Sequence, residues 1–145
     1  MGVMKLAFPL VLAGMALLVA GACQTGDNSN VTLPTTPAPV TTERFAGTLD
    51  VKAKAIGDFT IKLSGGLLTV TLTAAGPPAN IVMGLAVGTF DGTTCTILSN
   101  GSTNTAAGAN PQLSGTLNGG RYCVQVSDIG NQTAPVTYAV TVTHY

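Results

Sequence analysis

The chain of 145 residues carries six basic and six acidic side chains, so charged residues make up 8% of it while hydrophobic residues make up 46%. This balance excludes a nucleic-acid binder of the basic-patch type, an acidic disordered tail and a long charged coiled coil. With 18 Gly, 22 Thr and no Trp, the composition favours many short strands and turns, because Thr suits the pleated surface of a sheet and Gly supplies turns.

The first 22 residues have the pattern of a signal peptide. Lys5 provides a basic start, and residues 6–22 contain no charged side chain. A transmembrane anchor is the alternative, but it needs roughly 20 apolar residues to cross the hydrocarbon core, and this run is shorter. Ala20-Gly21-Ala22 matches the small-x-small pattern of a signal peptidase site. We therefore expect residues 1–22 to be removed on export.

The end of this leader carries a second signal. Val19-Ala20-Gly21-Ala22-Cys23 resembles the lipobox of bacterial lipoproteins and departs from it at Ala20, where Leu is usual. The resemblance implies that Cys23 is acylated and becomes the mature N-terminus. Gln24 stands where an Asp often signals inner-membrane retention, which implies the outer membrane. The alternative is ordinary secretory cleavage at the same bond, which leaves a secreted protein with a free Cys23.

Residues 23–42 form a linker rich in Thr and Pro. Almost none of its side chains is apolar, and Pro34, Pro37 and Pro39 favour extended polyproline geometry. Burial cannot offset the ordering entropy of such a stretch. We expect a disordered tether between Cys23 and a folded domain at residues 43–145.

The folded domain alternates apolar and polar side chains with a period of two, which predicts β-strands. The predicted strands are residues 45–49, 59–63, 68–72, 80–90, a short strand around 95–97, 113–117, 121–126 and 137–143. Ser64-Gly65-Gly66 predicts a tight hairpin between the second and third strands, and residues 99–111 predict a long surface loop. Gly84 and Gly88 are expected at a bulge or a close approach of two backbones. Eight antiparallel strands predict an all-β protein, a single β-sandwich of jelly-roll or Greek-key type.

The same alternation predicts the interior of the sandwich. The expected inward residues are Phe45, Leu49, Phe59, Ile61, Leu63, Leu68, Val70, Leu72, Met83, Leu85, Val87, Leu117, Tyr122, Val124, Val126, Tyr138, Val140 and Val142.

Two strand patterns carry a resemblance to a known family. Gly119-Gly120-Arg121-Tyr122-Cys123-Val124-Gln125-Val126 and Val136-Thr137-Tyr138-Ala139-Val140-Thr141-Val142-Thr143, with the strands before them, resemble the bacterial pre-peptidase C-terminal domain. That family is a β-sandwich of about this size, found on secreted proteases and other exported proteins. The resemblance covers nearly all of residues 43–145 and implies the fold and an accessory role.

The three cysteines form an odd set, which leaves one unpaired in an oxidising compartment. If Cys23 is acylated, Cys95 and Cys123 remain as one possible disulfide. By its effect on the entropy of the unfolded chain, this bond would stabilise the fold by about 3 kcal/mol. Two separate buried thiols are the alternative. Because Tyr122 and Val124 point inward, Cys123 is expected to point outward, with the bridge near the surface. The sequence has no CxxC pair and no Cys/His cluster, so we expect no zinc site.

Candidates for catalysis and for metal binding are few. His144 is the only histidine, and a residue next to a chain end is usually frayed and solvated rather than positioned beside a nucleophile. Four aspartates lie in or near predicted turns, where Asp commonly caps the backbone: Asp50, Asp58, Asp91 and Asp128. A calcium site from Asp91 or Asp128 with Asn131 is an alternative, although the chain has no Asp-x-Asp-x-Asp-Gly loop.

Threonines recur on two strand faces. Thr69, Thr71 and Thr73 share one face, and residues 137, 141 and 143 share another, which predicts a flat hydroxyl array of the kind found on ice-binding and some carbohydrate-binding surfaces. The ordinary alternative is that Thr is simply a suitable polar residue for an exposed strand.

Together these patterns predict a non-catalytic, lipid-anchored protein of the cell envelope. It contacts the membrane through Cys23 and binds a protein or a carbohydrate through its sandwich, without cofactor, metal or nucleic acid. The alternatives are a calcium-stabilised secreted module and a small exported hydrolase that would depend on Asp91, Asp128 or His144.

Overall fold

A computed structural model of the chain describes residues 39–62 and 66–145. The predicted signal peptide at residues 1–22, Cys23 and most of the linker lie outside the described residues, as does Leu63 of the predicted interior. No helix in the described part is long and apolar enough to span a membrane.

The described residues form eight β-strands and no helix. In chain order they are β1 (Thr41–Leu49), β2 (Lys54–Ile61), β3 (Gly66–Gly76), β4 (Met83–Phe90), β5 (Cys95–Thr105), β6 (Leu113–Leu117), β7 (Gly120–Ser127) and β8 (Val136–His144).

The strands pair into two four-stranded antiparallel sheets. One has the order β1-β8-β3-β6 and the other the order β2-β7-β4-β5. First pairs with last, second with seventh, third with sixth and fourth with fifth, so the chain is one long antiparallel ribbon rolled into two layers. This is the arrangement of an eight-stranded jelly roll. The predicted all-β sandwich is confirmed.

The predicted hairpin between the second and third strands is wrong. β2 pairs with β7 in one sheet, and β3 pairs with β8 and β6 in the other. Both strands bury an apolar face, and they bury it from opposite sides of the same core, so the link between them passes from one sheet to the other. A Gly-Gly sequence predicts that the chain turns, but it does not specify the strand with which the chain then pairs.

The predicted surface loop at residues 99–111 is also partly wrong. Residues 99–105 continue β5, which pairs with β4 from Met83↔Thr105 to Phe90↔Cys95. The pairing is interrupted by a register shift between Ala86 and Gly88. The strand lies at the edge of its sheet, and most of the Ser, Asn and Thr side chains in this stretch are exposed. Their polarity therefore imitates that of a loop.

The predicted interior is confirmed for most of its members. The buried ones are Leu49, Phe59, Ile61, Leu68, Val70, Leu72, Met83, Leu85, Val87, Tyr122, Val124, Val126, Val140 and Val142. Phe45, Leu117 and Tyr138 are only half-buried and pack against the rim of this core. Ile81 and Val136 are buried without having been predicted.

Cys95 and Cys123 form a disulfide between β5 and β7, with their Cα atoms 5.8 Å apart. The expectation that Cys123 lies near the surface is wrong, because its exposed fraction is 0%. The first residues of β5 pair with the end of β4, and the disulfide reaches across β4 to Cys123 of β7. Gly88 permits this approach: a Cβ there would collide with the carbonyl oxygen of Thr96 and lie 3.1 Å from the Cys123 sulfur. Gly88 is therefore the close-approach glycine that the sequence predicts.

Candidate functional site

A cleft of about 540 Å³ lies at one end of the sandwich. It lies where β1 begins and β2 ends, and its lining includes Glu43, Asp58, Phe59, Lys62, His144 and Tyr145. Its volume falls within the range of small-ligand sites, and it combines aromatic and charged side chains. We call it the edge cleft, because β1 and β2 are edge strands of the two sheets.

The alternation of strands β1 and β8 positions the polar side chains of this cleft. Glu43 shares a face of β1 with Phe45, which packs against the core. His144 shares a face of β8 with the buried Val140 and Val142. β8 keeps its pairing to its last residue, since His144 lies opposite Thr41 of β1. The interior-facing pattern of both strands therefore ends in a carboxylate and an imidazole.

Glu43 and His144 are hydrogen-bonded to each other. The Nε2 atom of His144 lies 3.1 Å from Oε1 of Glu43, and Nδ1 lies 3.4 Å from the backbone oxygen of Tyr145. The imidazole is 3% exposed and stacks on Phe59 with a centroid distance of 5.6 Å. The expectation of a frayed, solvated His144 is wrong, because β1 and β3 flank it on both sides.

This pair orients a carboxylate. Both ring nitrogens of His144 face oxygen acceptors, and within residues 39–62 and 66–145 no serine, threonine or cysteine bonds to either nitrogen. Nucleophilic catalysis needs a base within hydrogen-bond reach of a hydroxyl or thiol. Glu43 keeps a third of its side chain exposed, so the carboxylate is accessible from the cleft.

The sequence contains a signal for this site, although the position of His144 next to the chain end predicts a solvated residue. The period of two that places Tyr138, Val140 and Val142 inward continues by one step to His144. The same period carries Phe45 back to Glu43. Polar residues that continue the inward-facing positions of a strand are candidate site residues, because the strand directs their side chains toward the interior.

Asp58 forms the outer wall of the edge cleft, and its predicted role in a turn is wrong. It lies within β2, where its Oδ2 atom accepts hydrogen bonds from Nε and Nη2 of Arg121 at 3.1 and 2.8 Å. The Arg121 guanidinium also lies 4.8 Å from the Phe90 ring centre. Both partners of the ion pair are about half exposed, so the pair contributes less to stability than to the position of the carboxylate.

Asp91 and Asp128 cap backbone turns, as the sequence predicts. Asp91 accepts from the backbone N–H groups of Thr93 and Thr94, which lower the pKa of its carboxyl group. Asp128 accepts from the N–H of Lys52 with one oxygen and from those of residues 130, 131 and 132 with the other. The Lys52 bond is the main cause that lowers the pKa of Asp128.

These bonds argue against calcium at Asp128. Four N–H groups direct their positive ends at the carboxylate and engage both of its oxygens. Calcium requires oxygens that are free to coordinate it. Across the described ranges, no group of three or more His, Cys, Asp or Glu side chains could hold a metal ion.

The predicted threonine faces lie side by side on the outer surface of the first sheet. Register places Thr42, Thr143, Thr69 and Ser114 in one row across all four strands. Thr73 and Thr137 donate instead to backbone oxygens of their neighbours, Ala139 and Gly76. The array therefore exists only in part: Thr71 is buried, and the hydroxyl groups of Thr73 and Thr137 bond to the sheet itself.

Comparison with known proteins yields only distant likenesses. No protein-family model and no curated protein matches the chain. Among solved structures, a periplasmic inhibitor of g-type lysozyme from Aeromonas hydrophila, PliG, is 15% identical, covers 72% of this chain and 86% of its own, and has a TM-score of 0.43. The Yersinia pseudotuberculosis-derived mitogen is 12% identical over 72% and 84%, with a TM-score of 0.47. The Salmonella Typhimurium PliG is 13% identical over 72% and 87%, with a TM-score of 0.41.

These likenesses are too distant to carry an argument about what the chain binds. The resemblance to the pre-peptidase C-terminal domain stays a prediction.

Proposed function

We propose that this chain is an exported, lipid-anchored and non-catalytic protein of the cell envelope whose jelly roll binds a protein or a glycan through the edge cleft. The observation that carries the proposal is the Glu43–His144 pair: a buried imidazole fixes a carboxylate at the opening of a ligand-sized cleft. Such a polar group held in place by its neighbours is typical of recognition sites.

The leader and the cysteines support export and anchoring. Disulfides form and persist in oxidising compartments, and Cys95 is joined to Cys123. That bond leaves Cys23, the residue that follows the signal-peptidase pattern, as the cysteine available for a lipid. With Gln24 after it, the outer membrane is the destination that the lipobox resemblance implies.

The geometry of the edge cleft supports binding without catalysis. The imidazole is occupied by Glu43 and by the backbone of Tyr145, and the carboxylate of Asp58 is held by Arg121. Both carboxylates are thus fixed by a neighbour, which lowers the entropy cost of binding a partner.

Site-specific cross-linking in the cells that produce the protein tests this function. A photoreactive side chain at Thr60, on the cleft lining, is expected to capture a discrete partner. The matched control is the same side chain at Thr116 of β6, on the opposite edge of the domain. Equal cross-linking from both positions, or none from Thr60, would contradict binding through the cleft.

A further inference from the structure

The edge cleft has a charge arrangement that selects among ligands. We infer that it receives a cationic side chain, Arg or Lys, of a partner protein, with the charged group against Glu43 and the aliphatic stem along the aromatic lining. This inference rests on the proposed function, since it names the chemistry of the partner at the same cleft.

The Glu43 carboxylate is oriented so that one oxygen remains for a ligand. An imidazole nitrogen bonds to a carboxylate oxygen only as a donor, so Nε2 of His144 carries a proton and holds Oε1 at 3.1 Å. The other oxygen, Oε2, has no hydrogen-bond partner among the described residues. A carboxylate held in this way accepts a charge-assisted hydrogen bond without first losing its own rotational freedom.

The second carboxylate of the lining is arranged similarly. Both bonds from Arg121 go to Oδ2 of Asp58, so Oδ1 is not used by that pair. Lys62 is the cationic side chain on the cleft lining, and it is exposed. Asp58 already has the Arg121 guanidinium as its counter-charge, whereas Glu43 is bonded only to the imidazole of His144 among the described residues. Glu43 is therefore the carboxylate of the lining that favours a cation over an anion.

The remaining lining suits the stem of such a side chain. Phe59 and His144 are buried and stack on each other, so the half-buried Tyr145 provides the accessible aromatic surface of the lining. Arg and Lys pack their methylene groups on apolar surface while the charged end reaches a polar partner. A neutral ligand would gain the apolar contacts but would bring no positive charge to the Glu43 carboxylate.

A nuclear magnetic resonance titration of the full chain, purified from envelopes in detergent, tests the inference. The probes are capped tripeptides with a central Arg, Lys or citrulline, since citrulline keeps the shape of Arg without its charge, together with spermidine as a free amine. We expect the Arg and Lys peptides to shift the signals of residues 43, 60 and 144, and the citrulline peptide to bind about tenfold more weakly or worse.

Variants separate charge from folding. Glu43→Gln keeps an oxygen acceptor for His144 and removes the charge, so it is expected to weaken Arg binding about tenfold, while Lys62→Gln strengthens it by removing the competing cation. Asp50→Asn, in the turn at the other end of the sandwich, is the matched control and leaves binding unchanged.

Three results would overturn the inference: equal binding of the Arg and citrulline peptides, unchanged affinity in Glu43→Gln, or binding of spermidine without binding of either cationic peptide. Cross-linking from Thr60 that persists alongside any of them would retain a binding cleft and reject only its cationic partner.

Discussion

The disulfide over β4 has an effect on stability that can be calculated from the chain. Its cysteines are 28 positions apart, and a cross-link that closes a loop of this length lowers the entropy of the unfolded chain by an amount worth about 3.5 kcal/mol at 25 °C. Domains of this size have free energies of unfolding of about 5–15 kcal/mol. Removal of the bond therefore costs a large share of the total.

The variant that tests this value is Cys95→Ala/Cys123→Ala. Alanine is preferred to serine because Cys123 is fully buried, and a buried hydroxyl group without a partner would add about 1–3 kcal/mol of its own. We expect the free energy of unfolding to fall by about 3–4 kcal/mol and the melting midpoint by about 15–25 °C.

Urea unfolding followed by far-ultraviolet circular dichroism measures the change. The wild-type chain reduced with dithiothreitol is the matched control, since it keeps both side chains and loses only the bond, and it should lose a similar amount. A loss below about 1 kcal/mol in both would refute the loop-entropy reasoning. A loss confined to the alanine variant would assign the effect to packing around Cys123.

Three other predictions concern the frame of the site. Gly88→Ala should destabilise the fold by about 1–3 kcal/mol, because the new Cβ meets the Thr96 carbonyl; thermal melting that matches the wild type would contradict the close approach. Gln132 is buried, and neither its amide nitrogen nor its amide oxygen is bonded to a described residue. Gln132→Met removes these unpaired polar atoms and should raise the free energy of unfolding by about 1–2 kcal/mol. A lower free energy of unfolding in urea would contradict this prediction. The folded pKa of Asp128 lies below its unfolded value, so its contribution to stability is present above about pH 4 and is lost as the pH falls through the folded pKa. Asp128→Asn should therefore reduce the loss of melting temperature at acid pH. A pH profile of melting identical to that of the wild type would disprove the linkage.

Side-chain periodicity is sufficient to predict the strands and most of the core. Leu68, Val70 and Leu72 are buried as their alternation requires, because a strand sends successive side chains to opposite faces. Pairing depends on long-range geometry and was not predictable in the same way. The β2 sequence fits a hairpin with β3 as well as it fits a sheet with β7, since either arrangement buries Phe59 and Ile61.

In the edge cleft, too, the positions of the side chains follow from local periodicity, whereas their contacts follow from strand pairing. The alternation of apolar and polar side chains is a local pattern. When it is continued by one step beyond Phe45 and beyond Val142, it reaches Glu43 and His144. Their hydrogen bond depends on the pairing of the first strand with the last, from Thr41↔His144 to Leu49↔Val136. The burial of Cys123 depends likewise on the approach of Cys95 and Thr96 of β5 across β4, which no pattern near residue 123 encodes.

The export and anchoring of this jelly roll through Cys23 are tested most directly by metabolic labelling with a fatty-acid analogue in the producing cells. The proposal predicts label on the wild-type protein in the envelope fraction and none on Cys23→Ser. An unlabelled wild-type chain that retains Met1 and remains inside the cell would contradict it.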